Sequence, residues 1–506
     1  MYDVLVVGGG VNGVGIARDA AGRGLSVGLC EQSDLGQATS SASTKLFHGG
    51  LRYLEYYEFR LVRQALFERE LLLQAMPHIS WPLRFVLPHH KGLRPRWLVR
   101  LGLFIYDHLG GRKILPKTKS LDLTSDVTGV PLKDSFERGY EYSDCWVEDS
   151  RLVALNARDA AERGADIMPR TRLTSAERRG DVWQATLHDV ETGADRIVEA
   201  KALVNAGGPW VEEIIRNKMR MNTSDKIRMV RGSHIVTKQL FTHGKPYIFQ
   251  QGDGRIVFAI PYETDFTLIG TTDAEQTEDP SKAACTPEEA DYLCRAVSEY
   301  FAKPITQDDI VWTYAGVRPL YDDGAASATA ATRDYVLKLE GEEGEAPLIN
   351  IFGGKITTYR RLSEKVIEML RPRFDEMDPN WTAGIPLPGG DFPVDGVKTL
   401  VSILRGGYPF LDLDWALRLI RAYGTDATRM LADAKSLDDL GEHFGWNLYA
   451  REVQWLMDRE WAACADDVLW RRSKIGLRVS EDEIAKLDAW MKSIVAKSMS
   501  VTLRNN

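Results

Sequence analysis

The chain is poor in cysteine, in long apolar runs and in net charge. Its 506 residues include five cysteines, Cys30, Cys145, Cys285, Cys294 and Cys464, scattered and without a CxxC pair. That argues against a disulfide framework or a thiolate metal centre and reads as buried or surface thiols in a reducing compartment. No apolar stretch reaches the ~18 residues a membrane-spanning helix needs. Asp3 and a buried strand come at once, so no secretory leader is expected. A net charge of −8 gives no basic surface of the kind nucleic acid requires, and no nucleic-acid partner is expected. Internal repeats, low-complexity segments, a metal constellation and a nucleophile elbow are also missing. What remains is an ordinary globular composition, long enough for roughly two to four domains.

The first three dozen residues organise the rest. Val4-Leu5-Val6-Val7 is an uninterrupted apolar run, the pattern of a strand buried on both faces. It enters Gly8-Gly9-Gly10-Val11-Asn12-Gly13, then Ile16, Ala17, Ala20 and Ala21 at helical spacing. Leu25 to Cys30 reads as a second strand ending at Glu31, 23 residues after Gly8. Gly8 allows the sharp turn, Gly10 lets backbone approach a pyrophosphate, and Gly13 with Ala17 brings the helix close to the sheet. The helix N-terminus offers free N–H groups to phosphates, and Glu31 is placed for a ribose diol. This is a dinucleotide site.

A hydroxyl-rich stretch, Gln37 to Lys45, follows and is placed to line the remainder of a long cofactor. His48-Gly49-Gly50 would let backbone pass close to a flat ring, with Arg52 nearby. Residues 58–76 form an amphipathic helix that packs on the domain. Residues 166–200 read as a β-meander, and Ala202 to Asn205 as a buried strand ending at Gly207-Gly208, where open α/β sheets bind ligands. Residues 228–338 look like antiparallel sheet, with Gly252-Asp253-Gly254 as a hairpin turn, a natural cap over the cofactor's reactive end. Leu348 to Phe352 makes a last strand into Gly353-Gly354-Lys355, a second glycine turn opening a helix, whose dipole would stabilise negative charge on a flavin edge. Pro386 to Gly390 is a linker, and beyond Val397 the pattern is helical. No chemistry is evident there; Asp466-Asp467 reads as a solvated face or a cap.

Between Lys91 and Lys117 lie seven basic residues against one acid, Asp107, interleaved with Trp97, Leu98, Val99, Leu101, Leu103, Phe104, Ile105 and Tyr106. Such a basic, aromatic, amphipathic helix over 95–113 suits a membrane interface. A helix packed on its own protein with a solvated basic face gives the same pattern.

Near the glycine turns and in the cap stand Arg52, Arg318, Arg333 and Lys355, with no matching acid cluster beside them in sequence. Several cations converging in a flavin enzyme point to an anionic substrate, carboxylate or phosphate. Alcohol oxidation also needs a base, and His48 and His234 are the histidines in candidate site stretches.

GGGVNG, the run from Ala38 to Leu54 with its SSAS-K and HGGLRYLE core, GSHIV, IGTTD, GVRPL, TRDY and FGGKITTYR together resemble FAD-dependent glycerol-3-phosphate dehydrogenases of the bacterial aerobic, respiratory kind, over nearly the whole chain. The resemblance implies an α/β plus α fold: a Rossmann-like FAD-binding domain, an antiparallel-sheet substrate cap of D-amino-acid-oxidase type and an all-helical C-terminal domain. The FAD-dependent region would cover 1–388, with its FAD-binding domain at about 1–80, 140–215 and 340–388 and its cap at about 81–139 and 216–339; the helical domain would cover 389–506. The implied reaction takes sn-glycerol 3-phosphate to dihydroxyacetone phosphate by hydride transfer to FAD, with electrons passed to ubiquinone or another membrane quinone. Cofactor contacts would fall on Gly8, Gly10, Asn12, Gly13, Glu31, Thr39, Ser40, Ser43, Lys45, His48, Gly49, Leu173, Gly207, Gly353, Gly354, Lys355 and Thr357. Arg52, Tyr53, Arg333 and Thr271 would bind substrate. Arg318 would polarise the C2 oxygen, His48 or His234 would serve as base, and Arg52 and Lys355 would contact phosphate or the flavin edge. No metal is expected. A lipid-soluble acceptor puts the enzyme on the inner face of the cytoplasmic membrane through residues 95–113, with a homodimer left open. The rival readings are a soluble oxidase passing electrons to oxygen, an amine or amino-acid oxidase, and a flavin-binding protein without turnover.

Overall fold

The computed structural model describes residues 1–252, 254–322 and 334–504, with side chains through 496. Arg333 and Asp253 therefore lie outside the described residues.

The first sheet runs, in spatial order, Val336–Glu340, Leu348–Phe352, Asp195–Asn205, Tyr2–Val7, Val27–Cys30 and Asp166–Met168. Its centre is parallel, with Val4 opposite both Ala202 and Val27, and Val204 opposite Ile349. Strands enclosed on both faces must be apolar throughout, and Val4 to Val7 are buried without a break. The helices Val11–Gly22, Asp149–Glu162 and Tyr359–Leu370 cover one face, packing Val14, Ala17, Val153, Ala157, Leu362 and Val366 together. An antiparallel meander, Thr171–Arg179 and Val182–Asp189, extends Asp195–Asn205 on the other side. This is the Rossmann-like architecture the sequence predicts.

The second sheet is the cap. Ile227–Lys238, Phe266–Gly270, Ile256–Tyr262 and Tyr247–Gln250 continue into Ser80–His89 and Arg138–Val147, and Ile310–Tyr321 lies along Ile227–Lys238. Arg138–Val147 joins this sheet, paired antiparallel with Ser80–His89, although its sequence position suggested the nucleotide domain. Its alternation is masked by Ser143 and Asp144, which are buried; Asp144 is held by Arg69 at 2.6 Å and by the Tyr106 hydroxyl at 2.7 Å. Conversely Val336–Glu340 pairs with Leu348–Phe352 in the first sheet. A helix not foreseen inside the cap, Pro287–Ser298, packs Leu293 and Val297 beneath it and starts from a reciprocal Thr286/Glu289 capping box.

The last 120 or so residues form a helical domain with its own core, including Trp415, Leu419, Val453, Leu456 and Val468. It docks on the first domain through dry ion pairs: Arg151 with Glu460, and Arg158 with Asp426 at 2.8 Å. Asp467 corrects the solvated-face reading. It is fully buried, bound to Arg170 and Arg471, whereas Asp466 is exposed and reaches Arg471 at 2.6 Å.

Candidate active site

Between the two sheets lies a cavity of about 1730 Å³ that runs from the first glycine turn to the cap. At one end, the strand Tyr2–Val7 stops at Gly8, whose φ of +109° only glycine holds without strain. A Cβ on Gly13 would sit 1.9 Å from the Gly8 carbonyl oxygen, so the helix begins against the turn with no room between them. A Cβ on Gly10 would meet only the Ser40 hydroxyl at 3.1 Å, and Gly10 faces the cavity. No side chain caps the helix at Gly10; Ser40 accepts the Val11 N–H at 2.9 Å. Glu31 ends the second strand, accepting N–H bonds from Gly9 at 2.7 Å and Ser33 at 2.8 Å. Burial pushes its carboxyl up, against those donors. Leu173 and Gly207 complete this end.

Farther along, Asn12 joins the two glycine turns, donating to the Gly353 carbonyl at 3.2 Å while its own Oδ1 is buried without a partner among the described residues. Gly353 and Gly354 take φ of +73° and +111°, and Lys355 leads into the helix Tyr359–Leu370. Thr39 and Ser43 also line the cavity; Thr39 donates to the Val317 carbonyl at 2.6 Å, tying the loop to the cap. An elongated cavity, glycine turns at two helix starts, a strand-end carboxylate and an orphaned Asn12 oxygen fit a dinucleotide.

Four expected contacts stand behind the wall. Gly13 is enclosed in the turn. Lys45 is fully buried, its ammonium 2.6 Å from Asp149. The Gly49 N–H donates to Tyr106 at 2.8 Å, and the buried Thr357 hydroxyl reaches the His48 carbonyl at 3.5 Å. None of the four is among the residues that line the cavity.

At the cap end the cavity meets His48, Arg52, Tyr53, His234, Thr271, Arg318 and Lys355. Period-2 alternation explains the grouping: Trp312, Tyr314, Gly316 and Arg318 share one face of Ile310–Tyr321, opposite Val236, His234, Gly232 and Val230. Glycines clear this face. A Cβ on Gly232 would lie 2.5 Å from Arg318 and 2.7 Å from Thr271 Oγ1, and one on Gly270 only 2.0 Å from the His234 ring. Lys355 stands over the Tyr53 ring at 3.9 Å, and Arg52 reaches the Tyr56 hydroxyl at 3.3 Å. Arg318 corrects the expectation of cations without an acid: it pairs with Asp273 at 2.6 Å and donates to the Thr272 carbonyl at 2.6 Å. Thr44 was missed; its hydroxyl lies 2.9 Å from His234 Nε2.

His234 stacks on Tyr314 with centroids 4.7 Å apart, and burial, then Lys45 and Arg318, pull its pKa down to about 3. Burial, then Arg151 and Arg421, pull His78 down to about 3 as well. Both stay neutral in the fold while the unfolded chain protonates below ~6.5. Between those limits the unfolded state binds more protons, so stability falls as pH falls, by about 1.4 kcal/mol per pH unit per histidine. Urea midpoints are therefore expected to drop from pH 7 to pH 5, and His78→Met to shrink that drop by about one proton's worth. An unchanged slope in His78→Met would contradict the assignment.

Residues 3–360 match the FAD dependent oxidoreductase family, and residues 380–499 match the C-terminal domain of alpha-glycerophosphate oxidase. A glycerol-3-phosphate dehydrogenase of Pseudomonas aeruginosa is 52% identical over 97% of this chain and 95% of its own. The chain belongs to the FAD-dependent glycerol-3-phosphate dehydrogenase family. A D-erythritol 1-phosphate dehydrogenase of Brucella abortus is 49% identical over 96% of this chain and 97% of its own. Among solved structures, the glycerol-3-phosphate dehydrogenase of Bacillus halodurans complexed with FAD superposes with a TM-score of 0.77 at 26% identity, covering 99% of this chain and 90% of that one. FAD is the cofactor of the family, and the residues lining the cavity just described fit it.

Proposed function

We propose that this protein oxidises the C2 alcohol of sn-glycerol 3-phosphate to the ketone of dihydroxyacetone phosphate and passes the electrons to a membrane quinone. The observation that carries the reading is the convergence of Arg52, Arg318, Lys355 and two histidines on the cap end of a dinucleotide cavity. FAD bound there supplies the acceptor for the hydrogen and electron pair that leave the substrate carbon. Arg52 and Lys355 bind the phosphate or the cofactor's anionic edge. Arg318, held rigid by Asp273 and the Thr272 carbonyl, donates toward the C2 oxygen. Arg333 belongs to the same proposal as a substrate contact from outside the described residues.

The hydroxyl proton needs an acceptor. His234 is a poor one, since burial keeps it a weak base, and Thr44 and Tyr314 fix it as a neutral wall. His48 takes the role. A substrate panel tests the reading: glycerol 3-phosphate is expected to give the highest kcat/KM, with D-erythritol 1-phosphate the alternative that a 49%-identical relative puts forward. Preference for an amino acid, or peroxide release as fast as quinone reduction, would contradict it.

The basic helix supports a peripheral membrane location. It spans Arg96–Leu109, shorter than 95–113, and buries Leu103 and Tyr106 while exposing Trp97, Leu101 and Phe104. Tyr57 and Phe67 are exposed as well. Among the described residues no helix is long and apolar enough to cross a membrane, so contact with a lipid-dissolved quinone requires a surface of this kind, set on the inner leaflet. Each basic residue near an anionic surface contributes about 1 kcal/mol. Arg96→Glu with Arg100→Glu is expected to cut partition onto anionic vesicles about tenfold or more, read by flotation. Unchanged partition would remove the helix from the interface.

A further inference from the structure

Four residues within the stretch 470–474 of the helical domain, Trp470, Arg471, Arg472 and Lys474, reach the back of the cofactor cavity at two places. They follow and overlap a wide i→i+5 helical turn, Asp467–Arg472, a geometry that often marks functional segments. Arg471 donates to Asp34 at 2.6 Å, and Arg472 holds the same carboxylate with two N–H groups at 2.8 and 2.7 Å. Asp34 and Arg472 are each about 1% exposed. Asp34 stands three residues after Glu31, in a loop whose Gly36 N–H bonds the Gly9 carbonyl at 3.0 Å. The pair therefore fixes the acid end of the cavity against the first glycine turn.

The other contact runs to the cap end. Trp470 stacks on Trp312 with centroids 4.4 Å apart, Trp312 adjoins Tyr314 at 5.0 Å, and Tyr314 stacks on His234. The Tyr314 hydroxyl donates to the Ser43 carbonyl at 2.8 Å. Lys474, also buried, reaches the Ser150 hydroxyl at 3.3 Å, beside Asp149, the carboxylate that holds Ser43 and Lys45. The Arg158–Asp426 pair, by contrast, docks the domain away from the residues that line the cavity.

We propose that Trp470, Arg471, Arg472 and Lys474 are positioning residues of the FAD site, acting through Asp34 on the Glu31 loop and through Trp312, Tyr314 and Asp149 on the His234–Ser43 wall. The helical domain is thus a clasp on the cofactor cavity. The proposal rests on the cofactor, not on the substrate, so its test reads neither turnover nor glycerol 3-phosphate. In the full-length protein, FAD release is followed by fluorescence and backbone hydrogen exchange is followed over residues 31–48. Arg472→Lys, which keeps the charge but loses the bidentate fork, and Trp470→Ala are each expected to speed FAD release about tenfold and to raise exchange in that stretch. Trp470→Phe restores most of the retention, and Asp426→Asn, which loosens docking alone, leaves both readouts at the parent level. If Trp470→Ala does not fold, Arg472→Lys and Lys474→Gln decide. Parent-like release and exchange in those variants, or an equal effect of Asp426→Asn, would overturn the proposal.

Discussion

Replacing Arg318 by methionine is expected to lower kcat/KM for glycerol 3-phosphate by about two to three orders of magnitude, the scale set by removing one preorganised donor from a developing oxyanion. Arg318 sits on the strand Ile310–Tyr321, its Nη1 on Asp273 and its Nη2 on the Thr272 carbonyl. Those bonds take up its conformational freedom before substrate arrives, so its direction costs nothing at the moment of reaction. Lysine keeps the charge but not the fork that grips both partners; Arg318→Lys is expected to recover less than tenfold of the loss. Asp273 keeps partial solvent access, with its side chain 19% exposed, so its stranded carboxylate destabilises the fold only modestly. The FAD complement, read from visible absorbance, should remain full. A kcat/KM within threefold of the parent would remove Arg318 from the reaction.

The second large effect belongs to Gly13. An alanine Cβ would meet the Gly8 carbonyl oxygen at 1.9 Å and its carbon at 3.0 Å. The Gly8 carbonyl has little room to turn aside, because the Gly8 N–H is bonded to the Cys30 carbonyl at 2.8 Å and the Ala206 N–H to the Val7 carbonyl at 2.9 Å. The turn must therefore open, and opening it displaces the helix start from the phosphates. Gly13→Ala is expected to purify without FAD, corresponding to at least about 3 kcal/mol and more than a hundredfold in affinity. Gly10→Ala is the informative contrast. Its Cβ would crowd only the end of the Ser40 side chain at 3.1 Å, so that variant should fold and keep FAD with weakened affinity. A yellow Gly13→Ala protein with parent-like affinity would refute this account of the turn.

How far these features could be read in the sequence depended on the range of the interactions. The strand, turn, helix, strand and acid of residues 4–31 are contiguous, and the tightest approach in the turn, Gly13 on Gly8, lies within them, so the residue types expose that geometry. The cap was legible as antiparallel alternation, but Pro287–Ser298 inside it was passed over although Thr286-Pro287-Glu288-Glu289 is a strong helix start. Arg138–Val147 hid because a buried Asp144 breaks the apolar rhythm, and Arg69 and Tyr106 on two helices, with the Gly49 N–H at 3.2 Å, make that burial tolerable. Arg318 looked unpartnered because Asp273 lies far back in the sequence, in the connection between Phe266–Gly270 and Ala274–Glu275. Asp34 and Arg472 are 438 positions apart in the chain, and no spacing rule links them; the tandem Arg471-Arg472 was visible, its target was not. Lys45 shows the opposite limit. It stands in the hydroxyl-rich loop beside the cavity, yet a side chain on such a loop can turn inward, and this one closes on Asp149.

The central claim is that glycerol 3-phosphate delivers its electrons to the FAD held between the two sheets. Anaerobic mixing of the purified yellow protein with sn-glycerol 3-phosphate, followed by flavin absorbance, tests it most directly. The account predicts bleaching on mixing, rapid recovery of colour on adding a quinone analogue and slow recovery in air. A fully loaded protein that keeps its colour would contradict the account, and the cations at the cap end would then serve a different anion.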